Sequence, residues 1–342
     1  MRYNPLGSTG LFVSELCLGT MTFGGQSTWN SLGNSDQSEA TAIVSRALEA
    51  GVNIIDTANN YSGGLSEKMV GQALKDIGIK RSDVLIATKC FARIGQGPND
   101  MGSSRGHIMD CVERSLERLG LDHIDLYQMH AQDSMTPIEE TLRALDDLVS
   151  RGLVRYVGAS NYQAWQLMKA QGIAERKNFV RFQTLQAYYS IASRDIEREI
   201  VPALVDQKMG LMVYSPLAGG LLSGKFERDK HGPEGARRSA MDFPLVHKDR
   251  AWDCIDAMRE VAQSHDVSVA RVALAYVLAK PFVTSIIIGA KRIDQLEDNL
   301  AAIDVQLSAE DLAKLDAVSE LPFEYPGWAL GPQEKVRRPQ PK

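Results

Sequence analysis

Short runs of apolar and β-branched residues recur along the chain, and after each one the apolar positions fall three or four apart. The short runs are Glu15–Thr20, Val52–Asp56, Val84–Lys89, Asp125–Met129, Val154–Ser160, Phe179–Leu185, Leu211–Ser215 and Thr284–Gly289. They are too short for helices and are bounded by turn residues, so each reads as a buried strand. The stretches between them read as amphipathic helices. Asp36 and Glu39 predict a capping box, Ala40, Ile43, Val44, Ala47 and Leu48 form one stripe, and Gly51 ends the helix. Further helices are expected at Glu67–Ile77, at Arg105–Leu119, and from a Thr136-Pro137-Ile138-Glu139 cap to Gly152. The remaining helices fall at about 162–171, 201–209, 250–265, 269–279, 293–303 and 309–318.

Eight strand–helix units in strict alternation imply a parallel sheet. No polar linker or low-complexity tract divides the chain, so 1–342 reads as one α/β domain, a closed (β/α)8 TIM barrel. The alternative, a doubly wound open sheet, should carry a GxGxxG fingerprint after an early strand. The first strand instead runs into Gly19-Thr20-Met21-Thr22-Phe23-Gly24-Gly25. A Gly7-Ser8-Thr9-Gly10 turn predicts an N-terminal β-hairpin within 1–14. Long loops at about 21–35 and 218–248, and a tail at 320–342, are expected around the C-terminal face, where such barrels carry their sites.

Composition narrows the class. Of 342 residues, 44% are apolar and 24% charged, as in ordinary soluble chains. A net charge of −5 without a basic stripe argues against nucleic acid. No run approaches the ~18 consecutive apolar residues of a membrane helix. The opening MRYNPLGSTG lacks the apolar core of a secretory signal. Cys17, Cys90, Cys111 and Cys254 form no CxxC pair, so neither a disulfide framework nor a zinc cluster is expected, and a cytoplasmic location fits.

The predicted strand ends carry the chemistry. Strand two ends in Asp56, shortly before Tyr61. Strand three ends in Lys89, and strand four runs into His130. Later strands end in Ser160-Asn161, Gln186, Tyr214-Ser215 and Gly289. A buried lysine needs a partner, and Asp56 is the natural one. A lysine cation beside Tyr61 would lower the phenol's pKa from its usual value of about 10 towards that of a useful acid. His130 could donate a hydrogen bond to a carbonyl oxygen or share the proton with Tyr61. With a hydride donor nearby, this set suits reduction of a carbonyl to an alcohol.

The stretch Asp56-Thr-Ala-Asn-Asn-Tyr61-Ser-Gly-Gly-Leu-Ser66-Glu67 resembles the signature of the aldo-keto reductase superfamily. So does the order Asp56, Tyr61, Lys89, His130. Further matches are Gly158-Ala-Ser160-Asn161, Gln186-Ala-Tyr-Tyr-Ser190, Tyr214-Ser215-Pro-Leu217-Ala-Gly219 and Ile288-Gly-Ala-Lys-Arg-Ile-Asp-Gln295-Leu-Glu-Asp298-Asn299. The resemblance covers roughly 1–320 and implies a barrel that binds NADP(H) without a Rossmann fold. It implies Tyr61 as general acid, Lys89 and Asp56 as its tuning pair, and His130 as the group that orients the carbonyl. It assigns the nicotinamide amide to Ser160, Asn161 and Gln186, and the stacking face to Tyr214. The pyrophosphate is expected along Ser215, Leu217, Gly219, Ser223 and Lys225. Gly19, Thr20 and Met21 are expected at the cofactor's centre. Near strand eight, Gly289, Lys291, Arg292, Gln295, Asp298 and Asn299 match the adenosine end. Gln295 stands where the family often has Arg, yet Lys291 and Arg292 favour NADPH over NADH.

The substrate is expected among loops 21–35, 90–104, 131–135 and 218–248 and the tail. Phe23, Trp29, Phe91 and Met101 are candidate pocket residues, and Phe323, Tyr325 and Trp328 could cover it. The absence of a charge cluster in these loops points to a neutral aldehyde or ketone. Three other roles are open: a Schiff-base lyase using Lys89, a channel-associated or redox-sensing barrel that binds cofactor with little turnover, and a metal-dependent hydrolase. No HxH pair ends the first strand, so no metal is expected.

Overall fold

Residues Tyr3–Pro5 (β1) and Phe12–Ser14 (β2) pair antiparallel, Tyr3 opposite Ser14, around the expected glycine-bounded turn. Gly7 within it has φ +59°, and a Cβ there would lie 2.3 Å from the Gln183 carbonyl oxygen, so only glycine fits. In this computed structural model, residues 1–25, 33, 35–228, 232, 236, 238 and 241–337 are described.

Eight parallel strands then close a barrel in chain order. They are β3 (Leu16–Gly19), β4 (Ile54–Asp56), β5 (Leu85–Cys90), β6 (Ile124–Met129), β7 (Val154–Ser160), β8 (Thr184–Tyr188), β9 (Gly210–Tyr214) and β10 (Ser285–Ile288). β10 returns to β3, with Ile287 opposite Cys17. The open-sheet alternative is thereby excluded. Around the barrel lie α1 (Gln37–Glu49), α2 (Leu65–Ile77), α3 (Arg105–Leu119), α4 (Ile138–Ser150), α5 (Ala164–Lys177), α6 (Ile200–Gln207), α7 (Lys248–His265), α8 (Val269–Leu278), α9 (Ile293–Leu300), α10 (Ala309–Val318) and α11 (Gly327–Arg337). Among the described residues, no helix is long and apolar enough to cross a membrane.

The α1 capping box forms as its sequence predicts: Glu39 N donates to Asp36 Oδ1 at 2.9 Å, and Asp36 N donates to Glu39 Oε2 at 3.0 Å. Three expectations are corrected. The strand expected at Phe179–Leu185 starts at Thr184, because α5 runs on to Lys177 and Asn178 closes it in a left-handed conformation. The cap expected from Thr136 does not form. Its hydroxyl donates instead to Asp133 Oδ2 at 2.7 Å, and α4 begins after Pro137 without a side-chain cap. The tail carries α11, and Phe323, Tyr325 and Trp328, expected as residues that could cover the pocket, are exposed.

Period-two alternation sets the depth of each inward-facing residue. Cys17, Ile54, Ala87, Leu126, Met212 and Ile287 form an apolar plug inside the barrel, and Leu6 and Val13 of the hairpin region join it. Two residues further along the same strands stand Gly19, Asp56, Lys89, Gln128, Tyr214 and Gly289. The polar layer therefore sits directly on a dry floor, at the C-terminal ends of the strands. A second, larger core fills the space between the barrel wall and the helices.

Candidate active site

Lys89 has no exposed surface. Its Nζ donates to Asp56 Oδ2 at 2.5 Å, to the Thr57 carbonyl at 2.8 Å and to the Tyr61 hydroxyl at 3.2 Å. Burial alone would lower the lysine pKa. The Asp56 charge, and then the phenol, outweigh burial and hold it above its usual value. The cation is thus locked on, with its third contact aimed at the phenolic oxygen.

Tyr61 is presented by a tight turn. Asn59 N donates to the Lys89 carbonyl at 3.1 Å, and a 3-10 turn follows over Tyr61–Gly64. Ser62 has φ 49°, a backbone cost of the kind concentrated at functional sites. Gly64 (φ +91°) leaves room for Arg118, whose Cδ would be 2.8 Å from a Cβ there. Arg118 Nε donates to fully buried Glu67 at 2.7 Å, and Thr88 Oγ1 donates to the same carboxylate at 2.6 Å. The turn that carries Tyr61 is thus tied to the strand that carries Lys89.

The His130 ring meets the Tyr61 ring edge-on, with centroids 5.9 Å apart and planes at 73°. Burial, and then the Lys89 charge, push the imidazole pKa down to about 3. Its Nδ1 is buried without a hydrogen-bond partner among the described residues. Asn161, held at φ 57°, links the next elements: its Nδ2 donates to the His130 carbonyl at 2.9 Å, and its Oδ1 accepts from the Tyr214 hydroxyl at 2.9 Å. Burial, with Tyr188 and Tyr61 nearby, raises the Tyr214 phenol to about 12, so this ring stays neutral.

A cavity of about 620 Å³ opens over these groups. Asp56, Tyr61 and His130 lie at one part of its wall, while Lys89 lies beneath Tyr61 and does not reach it. Gly19, Thr20 and Met21 line it, as do Ser160, Asn161, Gln186 and Tyr214. The wall continues through Ser215, Leu217, Gly219, Ser223 and Lys225 to Gly289, Lys291, Gln295, Asp298 and Asn299. The cavity wall thus combines glycines and other small residues with two lysines and several amide side chains.

Three expected site residues lie elsewhere. Arg292 is exposed and pairs with Asp294 at 2.8 Å, outside the cavity wall. Phe23, expected in the substrate pocket, is fully buried in the outer core, and its backbone carbonyl accepts from Ser62 Oγ at 2.8 Å. Phe91 is half-buried at φ 149° and does not line the cavity. Trp29 lies outside the described residues. Nor do the tail aromatics line the cavity.

Sequence reasoning missed several contributors. Gln128 is fully buried and donates to Asp56 Oδ1 at 3.1 Å. It stands two residues before His130 and therefore on the same strand face, a signal that was available. Ala270 and Leu274 of α8 line the cavity, although their helix reads simply as core. Arg238 ties the loop after β9, donating to the carbonyls of Ala218 at 2.9 Å and Pro244 at 2.8 Å.

Asp133 is a further missed residue. It accepts from Ser103 N at 2.7 Å, Met135 N at 2.8 Å and Thr136 Oγ1 at 2.7 Å, joining the loops after β5 and β6. Burial alone would raise this carboxyl. The hydrogen bonds from Met135, Thr136 and Ser103 outweigh burial and hold it below its usual value. The folded-state pKa is depressed, so this stabilisation is present above the ordinary carboxylate range and is lost as pH falls through that range. Asp133→Asn should lower the melting temperature at pH 7, and the gap from wild type should narrow towards pH 3. A gap that stays constant over that range counts against the carboxylate's role.

The sequence profile of the aldo/keto reductase family matches residues 15–320. The uncharacterized oxidoreductase YrpG of Bacillus subtilis is 40% identical over 326 residues, covering 93% of this chain and 96% of its own length. A probable voltage-gated potassium channel subunit beta of Oryza sativa is 36% identical over 326 residues, with the same coverage. The NADH-specific methylglyoxal reductase of Escherichia coli is 34% identical over 333 residues, 94% of this chain and 99% of its own. Similarity of this extent runs through every strand of the barrel and every group at its mouth, and on that ground the chain belongs to the aldo/keto reductase family.

Proposed function

We propose that this protein reversibly reduces a neutral aldehyde or ketone to the alcohol with NADP(H), using Tyr61 as general acid. The observation that carries this reading is the unbroken contact chain from Asp56 through fully buried Lys89 to the Tyr61 hydroxyl, with the His130 ring edge-on to it. When bound, a reduced nicotinamide supplies the hydride. Ser160, Asn161 and Gln186 would hold its amide, and Tyr214 would offer the stacking face.

The chain's own residues manage the proton. The carbonyl oxygen is held between Tyr61 and His130. Burial pushes the His130 pKa down to about 3, so it is neutral at working pH and donates a hydrogen bond rather than a proton. Tyr61 gives its proton to the developing alkoxide, and Lys89 at 3.2 Å stabilises the phenolate left behind. Asp56 keeps Lys89 charged and still. A Schiff base would need a neutral Lys89, and the lysine's raised pKa opposes that.

Lys225 and Lys291 line the distal part of the cavity and are suited to phosphate, whereas Arg292 would have to leave Asp294 to reach it. Burial, and then Arg292 nearby, lower the Lys225 pKa, and an anion would reverse that shift. NADPH should therefore be used better than NADH. Lys291→Ala should reduce kcat/KM with NADPH roughly tenfold and affect NADH less, as loss of a charge-assisted contact implies. Equal loss with both cofactors would remove Lys291 from the discriminating phosphate. The four cysteines are free and buried, which suits the reducing cytoplasm.

Nicotinamide absorbance, followed across simple aldehydes, aryl aldehydes and ketones, tests the function as a whole. Two relatives favour a second reading, because both are named probable voltage-gated potassium channel subunit beta, at 36% identity each. A chain that binds NADPH tightly but turns over none of these carbonyls supports that reading over the first.

A further inference from the structure

We infer that Gln128 is a positioning residue that holds the Asp56 carboxylate steady when Gln186 engages its ligand, an inference resting on the reductase reading above. Gln128 is fully buried on β6, is the register partner of Lys89, and does not reach the cavity. Its Nε2 donates to Asp56 Oδ1 at 3.1 Å. Gln186 Nε2 donates to the same oxygen at 2.8 Å and lies 3.4 Å from Gln128 Oε1. Lys89 takes the other carboxylate oxygen at 2.5 Å. A carboxylate only accepts hydrogen bonds, so both amides must turn their nitrogens inward. That orientation leaves Gln186 Oε1 as the acceptor available to a ligand in the cavity.

The neighbouring strand makes room for this arrangement. Gly158 on β7 is the register partner of Gln128. A Cβ at Gly158 would lie 3.2 Å from Gln128 Cγ and 2.3 Å from Thr184 Oγ1. The glycine therefore clears the level at which Gln128 crosses towards Asp56.

Gln186 borders the cavity and can turn towards a ligand, whereas Gln128 cannot. If Gln186 were the only donor to Oδ1, such a turn would strip a buried carboxylate of a hydrogen bond and change the field that Lys89 presents to Tyr61. With Gln128 in place, Asp56 keeps a donor whichever way Gln186 faces. Gln128 thereby insulates the acidity of Tyr61 from events in the cofactor groove.

The test uses the full chain as Gln128→Met and Gln128→Glu, beside wild type and Tyr61→Phe. Gln128→Met keeps the side-chain length but removes the donor. Turnover should fall roughly tenfold, equivalent to about 1.4 kcal/mol, with NADPH binding little changed. The negative field at Tyr61 increases, so the alkaline limb of the kcat profile should move about half a unit or more to higher pH. The Tyr61 phenol can also be followed by ultraviolet tyrosinate titration, as the difference from Tyr61→Phe, and should move the same way. Gln128→Glu places a second carboxylate against Asp56, and its activity should recover as pH falls and that carboxyl takes up a proton. If Gln128→Met fails to fold, recovery of Gln128→Glu at low pH carries the test. An unshifted Tyr61 titration in folded Gln128→Met, or no recovery in Gln128→Glu, overturns the inference. The titration needs no turnover. A wild type inactive on every carbonyl therefore sinks the reductase reading, while the titration still decides the role of Gln128.

Discussion

Replacing Tyr61 with phenylalanine should reduce carbonyl turnover by about 10²- to 10⁴-fold, the range assigned to a positioned general acid. The substitution keeps the ring and its edge-on contact with His130 and removes only the oxygen 3.2 Å from Lys89 Nζ. Folding and NADPH binding should therefore survive, and quenching of intrinsic fluorescence by NADPH can verify this. The loss should appear in kcat rather than in the KM for cofactor. A variant that keeps turnover within about tenfold of wild type would assign the acid elsewhere. His130 would be the first alternative, although burial keeps that ring neutral until about pH 3.

Lys89→Met should be comparably severe for activity and, unlike Tyr61→Phe, should also destabilise the fold. Removing one partner of a buried ion pair costs about 3–5 kcal/mol, because the other charge is left behind. Here that charge is Asp56, whose Oδ2 loses its 2.5 Å contact while Oδ1 keeps two amide donors. The double variant Asp56→Asn with Lys89→Met separates the two effects. It removes both charges, so stability should recover towards wild type, as for buried pairs replaced by neutral groups. Activity should not recover, since no cation remains to support the phenolate. Thermal melts and steady-state turnover on the same three proteins decide the matter. Recovery of turnover in the double variant would mean that Lys89 is structural.

The fold was legible because its signals are periodic and local. Helix stripes at Ala40, Ile43, Val44 and Ala47 and the short strand runs need no knowledge of distant residues. Phe179–Leu185 was misread because its apolar residues follow a helix that continues further than its stripe suggests. Asp56, Tyr61, Lys89 and His130 were legible because a barrel gathers strand ends, whatever the sequence between them. Gln128 lay inside a strand rather than at its end, and an uncharged residue there gave no electrostatic reason to look. Phe23 and Arg292 were misplaced for the opposite reason: an aromatic or a cation in a loop suggests a ligand, but loop packing decides whether it turns inward, outward or onto a neighbour such as Asp294.

By itself, the sequence determined the alternation of elements, the capping box that starts α1, and the set of polar side chains at the barrel mouth. These follow from spacing and residue type, which act over a few positions. Only the tertiary structure decided that Asp56 meets Gln128 across 72 residues and Gln186 across 130. It also decided that Gly158 clears space for Gln128 and that α8 contributes to the cavity wall. Those contacts depend on barrel closure and strand register, which place distant residues at one depth through the combined packing of all eight strands.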